Sequence, residues 1–283
     1  MRKQVMFTHG TTVAAIGQGT WFMGEHAQQW RNEVRALQAG IDLGMTLIDT
    51  AEMYADGRAE QVVGEAIRGR RERVYLVSKV YPHNAGGARA IAACEGSLKR
   101  LQTERIDLYL LHWRGGIPLP DTISAMETLC QSGKIGHWGV SNLDMADMAE
   151  LWGYRGAEQC QTNQVLYHLG SRGIEYDLLP WCQQRHMPVM AYCPLAQAGQ
   201  LSHDLMNHPS VIDIARQRGL MPAQVLLAWV IRQSGVIAIP KASSLAHVEQ
   251  NAAALSVTLS QEEIACLDRA YPAPRSKQPL DVV

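Results

Sequence analysis

The sequence predicts an α/β protein: a single (β/α)8 TIM barrel over residues 1–283, with an N-terminal β-hairpin and two extra helices. Three observations predict it. Short aliphatic runs recur along the chain, amphipathic helical stretches fall between them, and no composition break or long linker interrupts the alternation. Apolar runs of about four to six residues suit strands buried on both faces, as in a parallel sheet. One strand and one helix about every 25 to 35 residues argue for a repeated βα unit. A count of eight such strands favours closure into a barrel over an open sheet.

The elements follow in order. "KQVMFTHGTTVAA" alternates around His9-Gly10, a dipeptide suited to a turn, and predicts a hairpin on the barrel floor. The strands are "AAIGQGT" at 14, "TLIDT" at 46, "RVYLVSK" at 73, "IDLYLLHW" at 106, "IGHWGVSN" at 135, "CQTNQV" at 160, "MPVMAYCPL" at 187 and "GVIAIPK" at 235. Helical spacing covers 32–43, 59–68, 87–101, 121–132, 145–152, 178–185 and 245–255. In the first of these Val34, Leu37 and Ile41 share a face. Pro120-Asp121 opens the fourth and Ser132-Gly133-Lys134 closes it. "HPSVIDIARQRGLMPAQVLLAWVIRQ" breaks near Gly219 and Pro222, which inserts one extra helix. "LSQEEIACLDRAY" carries a capping box in Ser260 and Glu263 and supplies the other. The tail, "PAPRSKQPLDVV", reads as poorly structured.

Charge and cysteine usage narrow the function. With 26 basic and 27 acidic residues the formal charge is −1, so no electrostatic footprint for nucleic acid or an anionic membrane exists. No run approaches the roughly 18 apolar residues of a membrane span, and none of signal-peptide length follows the basic start. A cytoplasmic chain whose partner is a small molecule or a protein is expected. The six cysteines are dispersed without a CxxC pair and read as reduced thiols. The ten histidines show no HExxH-like spacing, so no metal site is expected.

In a barrel of this kind the chemistry sits at the C-terminal strand ends. Those ends deliver Asp49, Lys79, His112, Asn142, Gln164, Tyr192 and Lys241. Any one of them alone is more often a helix cap or a surface charge. Their recurrence at successive strands points to a common mouth. Asp49 also stands five residues before Tyr54. A phenol titrating near ~10 is a poor donor at neutral pH unless a cation stabilises its phenolate. Lys79 can supply that cation, Asp49 can keep Lys79 charged, and His112 can orient a substrate oxygen. Together they make a general acid aimed at an oxygen. Carbonyl reduction needs a hydride source as well, which no side chain supplies, so a nicotinamide or flavin would share the mouth. Lys79 as a Schiff-base nucleophile is a weaker alternative.

These residues resemble the aldo-keto reductase family. The likeness runs from "IGQGTW" at 16 through "LIDTAEMYADGRAEQVVGEAI", "VYLVSK", "RIDLYLLHW", "GKIGHWGVSN", "QTNQVLYH" and "AYCPLAQ" to "IPKASSLAHVEQNAAAL", in order over most of the chain. It is similar to bacterial methylglyoxal and diketogluconate reductases. The resemblance implies a catalytic tetrad of Asp49, Tyr54, Lys79 and His112, in which Tyr54 protonates a carbonyl, Lys79 depresses the phenol pKa and His112 orients the substrate. It implies NADPH as cofactor, with Ser141, Asn142 and Gln164 at the carboxamide and Tyr192 stacked on the nicotinamide. Gly19, Thr20, Leu195, Gln197 and Asp49 would follow along the remainder of the dinucleotide. Lys241 and Ser244 would meet the 2'-phosphate, and Gln250 with Asn251 the adenine. His247 stands where an arginine is usual; a neutral imidazole offers neither permanent charge nor a fork, which leaves NADH use open.

For substrate, Trp21 and Trp113 join Tyr54 and His112, with Phe22 and Tyr81 nearby. The family's bulky C-terminal loop is short here, implying an open pocket for small aldehydes, ketoaldehydes or sugar-derived ketones. A monomer is expected. The competing function is a nicotinamide-nucleotide-binding regulatory subunit with vestigial catalysis.

Overall fold

The protein is described from a computed structural model covering residues 2–197 and 200–283, without the side chain of Gln200. Eight parallel strands form one sheet in sequence order: β3 (Gln18–Gly19), β4 (Leu47–Asp49), β5 (Tyr75–Val80), β6 (Ile106–Leu111), β7 (Ile135–Ser141), β8 (Cys160–Leu166), β9 (Val189–Tyr192) and β10 (Val236–Ala238). Parallel bridges from Ile16 to Ala238 and from Gly19 to Lys241 join the first strand to the last. The amides of Gly17 and Gly19 donate across that seam to the carbonyls of Ala238 (2.8 Å) and Pro240 (3.0 Å). The sheet is therefore a closed barrel. Its strands are buried on both faces, as in Leu47, Ile48 and Asp49 or throughout 75–80, which explains their unbroken apolar runs.

Before the barrel, β1 (Gln4–Met6) and β2 (Thr12–Ala14) pair antiparallel. The turn between them works because Gly10 takes φ +94°, a region open to glycine. This hairpin closes the N-terminal end. The Phe7 ring stacks on Tyr75 at 5.1 Å, His9 stacks on His137 at 3.6 Å, and Thr8 bonds Gln161. All three partners lie at or near the starts of their strands.

Seven helices connect successive strands, α1 (Trp30–Asp42), α2 (Arg58–Ile67), α3 (Gly87–Leu101), α4 (Leu119–Gln131), α5 (Met145–Leu151), α6 (Leu178–Gln184) and α9 (Pro222–Val230), and α10 (Leu245–Ala254) follows the last strand. Three more stand outside this pattern among the described residues: α7 (Gln200–Asn207) and α8 (Pro209–Arg218) between β9 and α9, and α11 (Gln261–Ala270) after the barrel. The break at Gly219 and Pro222 falls where the sequence places it, and Ser260 and Glu263 form the expected capping box. The helix α7 is the addition to that plan. Helix α4 begins two residues before Asp121, because Pro120 is tolerated in a first helical turn where no amide partner is needed.

The tail beyond Ala270 forms no helix or strand, yet it is anchored. Arg172 donates to the Tyr271 carbonyl at 2.5 Å and Ser171 donates to Asp281. Among the described residues, no helix is long and apolar enough to cross a membrane.

Candidate active site

One cleft of about 550 Å³ opens at the C-terminal ends of the strands. Asp49, the last residue of β4, lies at its floor, 2 % exposed. Lys79, on β5, is fully buried. Its ammonium has three protons and three acceptors: Asp49 Oδ2 at 2.7 Å, the Thr50 carbonyl at 2.8 Å and the Tyr54 hydroxyl at 3.2 Å. Because the phenol oxygen accepts from Lys79, its own proton is left for another acceptor. Asp49 Oδ1 in turn accepts from Gln164 Nε2 at 2.7 Å, which ties the opposite wall of the barrel into the same network.

Tyr54 reaches this point through an unusual turn. It opens a 3-10 segment, Tyr54–Gly57, in which Ala55 (φ 49°), Asp56 (φ 53°) and Gly57 (φ 82°) are all left-handed. That region disfavours residues with a Cβ by roughly 1–2 kcal/mol each. The strain is not isolated. Among the described residues, eight non-glycine residues have positive φ; Phe22, Asn142, Cys193 and Ala196 line the cleft, and Ala55 and Asp56 follow Tyr54. Backbone strain collected at one mouth marks a functional site.

Charge is set by burial here. The Tyr54 phenol lies well above its ordinary value, first because it is desolvated and then because of the Asp49 carboxylate. The sequence-based expectation that the phenol is held low is corrected in direction, since desolvation and the neighbouring Asp49 carboxylate both raise it. Burial also raises Asp49 and lowers Lys79, and each charge opposes the shift of the other. His112, at the end of β6, is lowered to about 2 by burial and then by Lys79, so its imidazole is neutral at neutral pH. Its ring meets Tyr54 edge-on at 5.7 Å, and its Nδ1 is buried without a partner among the described residues.

The other predicted residues divide by position. Gly19, Thr20, Trp21, Trp113, Ser141, Asn142, Gln164, Tyr192, Leu195, Gln197, Lys241 and His247 all line the cleft. Ser244, Gln250 and Asn251 do not. Ser244 caps α10, accepting from the His247 amide at 3.3 Å, while Asn251 is 6 % exposed within the helix. Gly19 is bare for a reason: a Cβ there would come within 2.6 Å of the Ile239 carbonyl across the seam.

The polar wall residues already hold one another. Ser141 Oγ donates to the Gln164 carbonyl at 2.8 Å, Asn142 Nδ2 to the His112 carbonyl at 3.2 Å, and the Tyr192 hydroxyl to Asn142 Oδ1 at 2.9 Å. Trp21 stacks on Phe22 at 4.5 Å, and Trp113 leans on His112 at 4.8 Å. Tyr81 stands behind Trp113, edge-on at 5.9 Å.

Sequence reasoning passed over Met53, Cys193, Ser202 and Val283, which also line the cleft. Cys193 was within reach, since it directly follows Tyr192 at a strand end. Val283 carries no such signal, because its place depends on how the tail is anchored.

Comparison with known proteins agrees with this geometry. The Aldo/keto reductase family pattern matches residues 15–272. The methylglyoxal reductase YeaE of Escherichia coli (strain K12) is 63 % identical over 282 residues, covering 100 % of this chain and 99 % of that protein. A glyoxal reductase of Bacillus subtilis (strain 168) is 34 % identical over 254 residues, covering 88 % of this chain and 87 % of that protein. A crystal structure of an aldo/keto reductase from Klebsiella pneumoniae, in complex with NADP and acetate, superposes with a TM-score of 0.98 at 64 % identity, covering 100 % of both chains. The chain belongs to the aldo/keto reductase family.

Proposed function

We propose that the protein reduces small aldehydes and ketones, methylglyoxal-like ketoaldehydes among them, to alcohols with NADPH. The observation that carries this reading is the hydrogen bond from Lys79 to the Tyr54 oxygen, which leaves the phenol proton free at the cleft. The relatives support it: the methylglyoxal reductase at 63 % identity, and the Klebsiella pneumoniae aldo/keto reductases crystallised with NADP and with NADPH.

The residues fit a dinucleotide. Lys241 offers an exposed cation on the cleft wall, Ser141, Asn142 and Gln164 offer amide-matching groups on it, and the Tyr192 ring also lines it. Along Gly19 the wall is bare backbone. When bound, the reduced nicotinamide supplies the hydride that no side chain can. Leu195, Gln197, Thr20 and Asp49 would follow the nucleotide, with His247, Ser244, Gln250 and Asn251 toward its adenosine end.

The chain's own residues manage the proton and the oxygen. Neutral His112 donates a hydrogen bond that orients the carbonyl between Trp21 and Trp113. Tyr54 gives its proton to that oxygen as charge develops there. Lys79 stabilises the phenolate left behind, and Asp49 keeps Lys79 cationic. Preorganised groups of this kind contribute about 2.7–4 kcal/mol apiece in comparable oxyanion sites.

Residues 1–283 act as one domain, a reading supported by the single core that runs from Val5 to Leu267. The protein works as a monomer in the cytoplasm, a reading that accords with cysteines that are all free among the described residues. The test is NADPH consumption by the purified protein over a carbonyl panel that includes methylglyoxal. Turnover is expected; tight NADPH binding with no consumption by any carbonyl would favour a nucleotide-sensing subunit and end this reading.

A further inference from the structure

Glu60 is a fully buried carboxylate outside the cleft. Burying a charge is costly and calls for a reason beyond packing. Its partners come from two other elements. Oε1 accepts from Ser78 on β5 at 2.7 Å, and Oε2 pairs with Arg100 on α3 at 2.6 Å. Ser78 is the neighbour of Lys79 on the same strand, so the two side chains point to opposite faces of the barrel wall. Glu60 itself sits in the first turn of α2, directly after the left-handed turn that carries Tyr54.

The same clamp touches that turn. A Cβ on Gly57 would lie 2.5 Å from Arg100 Cδ, so the arginine packs against the turn's backbone while it holds Glu60. Arg100 also donates to Ser97 at 3.2 Å, which fixes it to α3. Tyr54 and Lys79 thus come from separate elements, and a short link through Glu60 and Ser78 joins those elements behind the site.

We propose that Glu60 is a positioning residue that, through Ser78 and Arg100, sets the separation between the Tyr54 hydroxyl and the Lys79 ammonium. This rests on the carbonyl-reduction reading for its effect on turnover, but its geometric content stands apart from it. The Glu60 charge also favours the protonated form of Lys79 from behind the wall.

The test uses fluorotyrosine incorporated in place of Tyr54 and read by fluorine NMR in the whole protein, with Lys79→Met marking the resonance of a phenol that has lost its cation. Glu60→Gln removes the charge, and Ser78→Ala removes only the tether. In both, the resonance is expected to move toward that of Lys79→Met. In the unlabelled proteins kcat for carbonyl reduction falls about tenfold with KM unchanged. The basic limb of the pH profile moves upward by about one unit, because a phenol farther from its cation ionises at higher pH. Should Glu60→Gln fail to fold, Ser78→Ala carries the test alone. A folded variant whose fluorine resonance stays at the wild-type position overturns the proposal. If the wild-type protein reduces no carbonyl, the functional reading falls while the fluorine measurement still decides the positioning role.

Discussion

Lys79 Nζ stands 4.8 Å from the centre of the Tyr54 ring as well as 3.2 Å from its hydroxyl, so the cation meets both the face and the oxygen of one phenol. The ammonium thereby meets the neutral phenol at both its ring and its oxygen, and on the proposed mechanism the same oxygen contact would stabilise a phenolate.

Tyr54→Phe keeps the ring and its packing but removes the proton. Turnover is expected to fall by about 10²- to 10⁴-fold, the usual contribution of general acid catalysis. NADPH affinity, measured by fluorescence titration, should stay as in wild type. Equal losses in both would mean that the hydroxyl holds the nucleotide instead.

Asp49→Asn leaves Lys79 buried with no carboxylate. Removing one member of a buried pair typically costs about 3–5 kcal/mol. A drop of that size in urea unfolding free energy is expected, together with lost turnover, and an unchanged denaturation midpoint would contradict it.

Gly57→Ala meets two obstacles, a left-handed φ of 82° and Arg100 Cδ at 2.5 Å from the new Cβ. Destabilisation of about 1–3 kcal/mol follows from backbone strain alone. Gly69→Ala is the control, since its φ is also positive but nothing lies within 4 Å. The difference between the two variants isolates the collision with Arg100.

Acid sensitivity should trace to buried neutral histidines. Burial holds His168 at about 4 and His112 at about 2, both below the ordinary 6.5. Between those values and 6.5 the unfolded chain binds protons that the folded chain refuses. Stability is therefore full above about pH 6.5 and falls as the pH drops, by about 1.4 kcal/mol per unit for each such site. His168 Nδ1 accepts from the Gly170 amide at 3.1 Å, so His168→Asn tests the site with an acceptor retained. Chemical denaturation from pH 7 down to pH 4 should show a shallower decline in that variant.

His247→Arg places a permanent charge on the cleft wall beside Lys241. NADPH is expected to bind about 10- to 100-fold more tightly, in line with the 1.5–3 kcal/mol of a charged hydrogen bond, with NADH unaffected. Calorimetric titration of both nucleotides checks it, and parallel tightening of NADH would place position 247 away from the 2'-phosphate.

Strand runs were the most legible part of the chain, for a physical reason. Leu47, Ile48, Leu76 and Val77 are buried on both faces of the sheet, so their apolar character is continuous and needs no knowledge of partners. Polar residues at the ends of those runs, such as Asp49 and Gln164, stand out against that background. Helix α7 gave no comparable signal, because "QLSHDLMN" mixes Ser, His, Asp and Asn into a short segment. Periodicity places Gln250 and Asn251 on a helix but says nothing of which way the helix is rolled. The direction of the Tyr54 shift was also out of reach, since it depends on how deeply the folded chain buries the phenol beside Asp49. Glu60 reads in sequence as an ordinary charge on an amphipathic helix, and only the packing of α2, α3 and β5 makes it an interior group.

The seam between β3 and β10 is held by two isolated bridges and a few amide bonds, with Gly19 on one side and Lys241 on the other. Both residues also line the cleft. A molecule that touches both of them spans the joint as a splint does. Amide hydrogens at Gly17 and Gly19 would then exchange by the lowest-energy local opening of the barrel, and occupancy of the cleft would slow them first.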